Sequence, residues 1–234
     1  MTKQPGWLYD EAKTAGVDYA DPARVEEYDR RHGKFRDYRK EAEAIVKAIG
    51  IRPEDTVIDL GSGTGAFALN AAPYCRTLYA VDVSPVMLDY ARRKAERAGL
   101  TNVVFRPGGF LTYEHRGPAA DALVSSAVLH HLPDFWKLIG LRRAARMLKT
   151  GGRFFLFDVV FPIGLADCKK RLDDWVRAFA EKAGPEMAAE AEVHLRDEYS
   201  TYDRVLEEFL VQAGFRIDSA KYEDFLATYL CTRT

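Results

Sequence analysis

A glycine-rich turn set between a β-rich run and a helical one constrains this chain more than any other feature. Thr56-Val57-Ile58-Asp59-Leu60 has the aliphatic and β-branched character of a buried strand, and it stops at Gly61-Ser62-Gly63-Thr64-Gly65. Phe67 to Tyr74 then reads as a helix. Glycines at such a junction let the chain turn sharply and let a ligand approach the backbone closely. Asp82 closes the next β-rich run 21 residues after Gly61, the interval at which a strand-end carboxylate meets the hydroxyls of a nucleotide ribose. Strand, loop, helix, strand and acid in this order predict a nucleotide-type site. The plainer alternative is a structural turn with Asp82 as a helix cap.

The alternation continues downstream. Leu78-Tyr79-Ala80-Val81 reads as a strand, Pro85 to Ala98 as a helix ending at Gly99, and Val103-Val104-Phe105 as a third strand. Ala122 to Ser125 and Arg153 to Asp158 are two more strands, separated by a helix from Pro133 to Leu148. Asp167 to Ala183 and Pro185 to Arg196 read as helices broken at Gly184-Pro185. Ser200 is then placed as the cap of a helix running to Ala213, with Asp203 three residues on as in a capping box. Phe215 to Tyr222 and Phe225 to Thr232 are the final strands. Regular strand–helix alternation implies parallel βαβ units with helices on both faces. The expected fold class is therefore α/β: a Rossmann-like, doubly wound, mostly parallel seven-stranded sheet with an antiparallel C-terminal strand.

The chain of 234 residues suits one domain, 1–234, with no low-complexity linker to divide it. Within it, residues 1–50 are expected to form a helical arm and cap, with helices from Asp21-Pro22 to Gly33 and from Arg36 to Ile49. Residues 51–160 form the nucleotide-binding core, 161–202 a helical substrate lid rich in aromatics, and 203–234 the last helix and strands. A formal net charge of -1 offers no positive field for a polyanion, which weighs against nucleic acid and favours a small substrate. Cys75, Cys168 and Cys231 are scattered and odd in number, reading as reduced thiols. With no apolar run of membrane length and no apolar leader, the expected location is cytoplasmic.

Which nucleotide the turn binds depends on Asp59. Gly61, Gly63 and Ala66 satisfy the dinucleotide spacing G-x-G-x-x-A, so NAD is a genuine rival. A carboxylate immediately before the glycines would repel a pyrophosphate, whereas it suits a ligand carrying a sulfonium and an ammonium. Asp59 and Asp82 together therefore favour S-adenosylmethionine.

Val57-Ile58-Asp59-Leu60-Gly61-Ser62-Gly63-Thr64-Gly65 resembles the first motif of class I S-adenosylmethionine-dependent methyltransferases, and Val81-Asp82-Val83-Ser84-Pro85-Val86-Met87-Leu88 resembles their second. Leu148-Lys149-Thr150-Gly151-Gly152-Arg153 is similar to the turn before their fifth strand. With Glu27-Tyr28-Asp29 and the C-terminal order, the likeness runs from about residue 25 to 234 and points to the small-molecule type 11/25 group. It implies that Gly61, Ser62 and Gly63 line the cofactor and that Asp59 holds its ammonium. It further implies that Asp82 accepts the ribose hydroxyls, Val83 packs on adenine, Ser126 and Ala127 lie under the sulfonium, and Tyr28 reaches the cofactor carboxylate. One departure stands out. The family carries Gly-Asp after the third strand, the Asp receiving the adenine amino group, but here Pro107-Gly108-Gly109-Phe110 puts Gly109 in that place. The Gly109 or Phe110 backbone, or the Phe110 ring, is the expected substitute.

Methyl transfer from a sulfonium needs mainly an oriented nucleophile and a dry site, so a sparse catalytic signature is expected. The candidates are His130 and His131, directly after the fourth strand, and Asp158 at the end of the fifth, where it is expected to contact substrate. Each has a structural reading as well: a packed imidazole for the histidines, a loop cap for Asp158. Adjacent histidines do not share a helix face, so no metal site is expected. The function read from the sequence is in-line transfer of a methyl group from S-adenosylmethionine to a small-molecule acceptor. A non-catalytic S-adenosylmethionine-binding module and an NAD(P)-linked oxidoreductase are its rivals.

Overall fold

In the computed structural model, residues 5–13, 25–27, 30, 33, 36–162, 164 and 166–234 are described. The expected helix from Asp21 to Gly33 falls largely outside these residues, as does Tyr28.

Helix α1 (Tyr38–Ile49) is capped by the Asp37 carboxylate, which accepts the Lys40 amide, and ends at Gly50 in the left-handed conformation. Strand β1 (Thr56–Leu60) follows, buried at every position, then α2 (Ala66–Ala71), which continues as one 3-10 turn through Tyr74. Next come β2 (Thr77–Asp82), α3 (Pro85–Arg97), β3 (Val103–Pro107), β4 (Ala120–Ser126), α4 (Asp134–Met147) and β5 (Leu148–Phe161). Ser84 caps α3, accepting the Met87 amide, with Pro85 at the first helical position where its missing N–H costs nothing. Helices α5 (Cys168–Ala183) and α6 (Pro185–Asp197) form a pair. They are followed by the two-residue strand β6 (Thr201–Tyr202), α7 (Asp203–Gln212), β7 (Phe215–Glu223) and β8 (Leu226–Arg233).

The sheet runs β3-β2-β1-β4-β5-β8-β7, with β6 pairing beside β5. Strands β1 to β5 are mutually parallel, and β8 runs antiparallel to both β5 and β7. This is the mostly parallel, doubly wound sheet that strand–helix alternation predicts. The order reverses between β1 and β4, and in open α/β sheets a ligand crevice forms at such a switch point. One core lies on each face. Val46, Ile49, Phe67 and Ala68 pack from α1 and α2 against Val57, Leu78 and Val124. Leu141, Ala144, Leu206 and Leu210 pack from α4 and α7 against Ile58, Leu123, Phe154 and Leu156. Among the described residues no helix is long and apolar enough to cross a membrane.

Two local expectations are corrected. Ser200 does not cap the last long helix, which begins at Asp203; its hydroxyl lies 2.7 Å from His194 Nε2 instead. The pairing of Thr201 and Tyr202 with Val160 and Phe161 extends the chain where a helix start was expected. The fifth strand is also longer than the run 153–158: Leu148 pairs with Ala120 of β4 at its start, Val159 with β8, and Val160 and Phe161 with β6 at its end.

Gly140, inside α4, lets that helix approach the turn after β3: a Cβ there would lie 2.8 Å from Phe110 Cβ, and Phe110 is 1% exposed. Helix propensity alone favours alanine at an internal glycine by about 1 kcal/mol. Forcing two packed elements apart costs typically 1–3 kcal/mol. Gly140→Ala is therefore expected to destabilise the protein, by roughly 1–2 kcal/mol in urea denaturation; a stabilised variant would show that this approach is not tight.

Candidate functional site

Because β1 to β4 are parallel and in register, their C-terminal ends meet at one edge of the sheet. Asp59 sits beside Ala80 and Val124, and Asp82 beside Pro107. A cavity of about 370 Å³ opens over this edge, within the size range of small-ligand sites. Its walls are the Gly61–Thr64 turn, the Asp82–Met87 segment, Gly108–Phe110, Ser126–Val128 with His131, the first turns of α1 and the arm residues Glu11 to Lys13.

The glycine turn is folded back onto β2. The Gly61 and Ser62 amides donate to the Val81 carbonyl at 2.8 and 2.9 Å. Gly61 has φ +83°, and a Cβ on it would lie 2.2 Å from Val128 Cγ2, so no side chain fits. The Asp82 carboxylate accepts the Gly63 amide on Oδ2 and the Ser84 amide on Oδ1, each at 2.8 Å. Both oxygens are thus fixed by backbone, leaving their remaining lone pairs for a ligand that brings two donors. Burial raises the Asp82 pKa, and the three neighbouring amides of Ser84, Gly63 and Val83 offset part of that rise.

Asp59 is strongly perturbed. It is 3% exposed, and burial, followed by the nearby Asp82 charge, pushes its pKa up to about 8. Its Oδ2 is buried without a hydrogen-bond partner, and so is the Ser62 hydroxyl beside it. Unpartnered buried polar atoms are uncommon, and two on one cavity wall mark a place where ligand groups complete the bonding. With Glu11, Glu41 and Asp82 on the same walls, the cavity gathers four carboxyls against the two basic side chains of Lys13 and Arg36. That lining fits a cationic ligand and opposes a pyrophosphate. Arg36, just before α1, has its guanidinium bonded to Glu41. Ala127 closes the floor in a left-handed conformation at φ +57°, a strained state for alanine, held by its amide donating to the Phe157 carbonyl at 2.8 Å.

Of the residues singled out in the sequence, Asp59, Gly61, Ser62, Gly63, Asp82, Val83, Gly109, Phe110, Ser126 and Ala127 all line this one cavity. Tyr28 lies outside the described residues. Glu11, Arg36, Tyr38 and Glu41 also line it and were not anticipated. Nothing in local spacing marks them, since they reach the cavity from elements that a β-edge motif does not include.

His130 and His131 separate in role. His131 lines the cavity, and its Nδ1 is buried without a partner. Burial, then the neighbouring His130, lowers its pKa to about 4, so the ring is neutral near pH 7. His130 is buried behind it. Burial alone would lower its pKa, but Asp158, with Nδ1 to Oδ1 at 2.5 Å, and Glu198, 3.2 Å from Nε2, outweigh burial and raise it. Of the two readings of Asp158, substrate contact and loop cap, the geometry matches the cap. At 2% exposure it has no face on the cavity; it accepts the Leu129 and His130 amides at 2.8 and 3.3 Å and caps that single turn. The two imidazoles, expected to diverge, lie side by side. In the 3-10 turn Leu129–His131 the rings lie 4.3 Å apart, and with Glu198 they offer three ligand atoms within 4.8 Å of one another, so a metal ion could be gathered here. Glu198 also pairs with His194, and through it α6 is tied to the back of the site.

A family model described as a methyltransferase domain matches residues 57–152. The chain is 32% identical over 118 residues to the uncharacterized methyltransferase YcgJ of Bacillus subtilis (strain 168), covering 50% of this chain and 46% of that protein, so it spans about half that relative's length. It is 27% identical over 205 residues to the 27-O-demethylrifamycin SV methyltransferase of Amycolatopsis mediterranei (strain S699), covering 79% of this chain and 74% of that one. Among solved structures, magnesium protoporphyrin IX methyltransferase from Synechocystis PCC 6803 with bound SAH shares the fold at a TM-score of 0.66 and 18% identity, over 93% of this chain and 97% of that one.

The raised Asp59 pKa has a cost without ligand. A carboxyl with a folded pKa near 8 and an unfolded one near 3.8 contributes fully only below the lower value, and that stability is lost as pH rises towards 8. Asp59→Asn is expected to raise the Tm of the ligand-free protein by on the order of 5 °C at pH 8, and by far less at pH 5. An equal Tm change at both pH values would contradict the shift.

Proposed function

We propose that this chain is a class I S-adenosylmethionine-dependent methyltransferase, with S-adenosylmethionine as cofactor, and that it methylates a small-molecule acceptor held beside His131. The observation that carries the reading is the unpartnered Asp59 Oδ2 in a cavity walled by four carboxyls. When bound, S-adenosylmethionine supplies a methyl group already activated on a sulfonium.

In this reading the chain's own residues bind, orient and exclude water. Asp59, with the Ser62 hydroxyl, receives the ammonium, and Arg36 faces the methionine carboxylate. Asp82 takes the ribose hydroxyls on the lone pairs its two amides leave open. Ser126 and Ala127 form the floor below the reacting centre, a rigid position because Ala127 is held in one strained conformation. A ring that protonates near pH 4 is a poor general base at neutral pH, so His131 acts by orienting the acceptor. That role suits a nucleophile with an available lone pair, such as an amine or a thiolate. His130 and Asp158 are positioning residues that hold the His131 turn.

Support for a small acceptor comes from the absence of a net positive charge and from the relative named as acting on 27-O-demethylrifamycin SV. Residues 161–202 are the segment to which we assign acceptor selectivity. The α5 helix has no fully buried residue, and Trp175 packs edge-on against Phe179 and Phe225 at 4.9 and 5.7 Å. The rival NAD(P) reading would place a pyrophosphate among Glu11, Asp59 and Asp82.

Calorimetric titration separates these readings. The protein is expected to bind S-adenosylmethionine and S-adenosylhomocysteine and to leave NAD unbound. Asp82→Ala is expected to weaken S-adenosylhomocysteine by tenfold or more, a loss of about 1.4 kcal/mol or greater. Unchanged affinity in that variant would remove the ribose assignment. Incubation with labelled S-adenosylmethionine and panels of thiols, amines and phenols tests the acceptor class.

A further inference from the structure

We propose that Glu11, carried in from the N-terminal arm, is the residue that reads the cofactor's base, accepting its exocyclic amino group on Oε2. The inference rests on the cofactor assignment above and adds a specificity-determining residue to it.

The arm is docked rather than loose against the domain. Trp7 stacks on Trp136 with planes 9° apart, Tyr9 packs on the same ring at 6.4 Å, and the Tyr9 hydroxyl donates to the His131 carbonyl at 3.4 Å. Beyond them Glu11 turns its carboxylate into the cavity wall. Oε1 accepts two donors from Thr112, its amide at 2.7 Å and its hydroxyl at 2.5 Å. Oε2 accepts the Leu111 amide alone, at 3.0 Å, which leaves that oxygen with acceptor capacity to spare.

The free capacity lies where a base would be. Asp82 fixes the ribose at the end of β2, and Asp59 with Ala127 takes the methionyl part on the β1–β4 side. The base must therefore extend the other way, past Val83 towards Gly109. A Cβ built on Gly109 would lie 2.6 Å from Glu11 Oε2 and 2.8 Å from Val83 Cγ1. Glycine at 109 is what lets the arm carboxylate lie against this strand end. The position that lacks an acid of its own is the one that a distant acid covers. A carboxylate there matches a donor at the purine 6-position, and it opposes a 6-oxo purine, whose carbonyl would face it unpaired.

The test is titration of the full chain with S-adenosylhomocysteine and with S-inosylhomocysteine, its 6-oxo counterpart, in wild type, Glu11→Gln and Gly109→Ala. Circular dichroism checks that each variant is folded. Wild type is expected to prefer the adenosyl ligand at least tenfold. Glu11→Gln, whose amide can turn to donate to a carbonyl, is expected to shrink that ratio at least fivefold, and Gly109→Ala to shrink it by displacing the carboxylate. A ratio unchanged in both folded variants, or both ligands weakened equally, would overturn the proposal and leave Glu11 as a fastening for the arm. Wild type binding neither ligand would instead overturn the cofactor assignment, and this inference with it.

Discussion

The fold of the site hangs on one short-range arrangement, the closure of the Gly61–Gly65 turn onto the end of β2. Two amides on the Val81 carbonyl and one on the Asp82 carboxylate join the switch-point turn to the neighbouring strand. That closure puts Asp82 in a fixed orientation, brings Gly61 against Val128 and leaves Asp59 sealed beneath with no counter-charge. The parallel register of β1, β2 and β4 is what makes it possible, because it aligns three strand ends at one edge.

The parts legible in the sequence were those encoded locally. A strand that ends in glycines, an acid one βαβ unit later and the left-handed conformations that only glycine adopts easily are all short-range signals. They located the Asp59–Gly63 turn, Asp82 and the alternation of strands and helices. Substrate contact and a loop cap both stayed open for Asp158, because its position at a strand end says nothing of which way the carboxyl faces. It points back to cap Leu129–His131 and to hold His130. Ser200 was misread because its partner, His194, lies on the preceding helix rather than ahead of it. Glu11 and Arg36 could not be read at all, since only the packing of the arm and α1 over the sheet edge brings them to the cavity.

Behind the cavity wall, His130, Asp158, Glu198 and His194 form a second buried layer. It joins β5 to α6 through the residue next to His131. The Leu129–His131 turn is one residue removed from the strained Ala127 that floors the site.

The central claim is that the unpaired Asp59 carboxyl is completed by a cationic cofactor. It is tested most directly by S-adenosylmethionine titration near pH 6.5 in two buffers of different ionisation enthalpy. A carboxyl that protonates near pH 8 in the free protein must ionise to receive an ammonium. The account therefore requires close to one proton released per cofactor bound by the wild type, and close to none by Asp59→Asn, which should also bind more weakly. Binding without proton release in the wild type, or undiminished binding by Asp59→Asn, would contradict it.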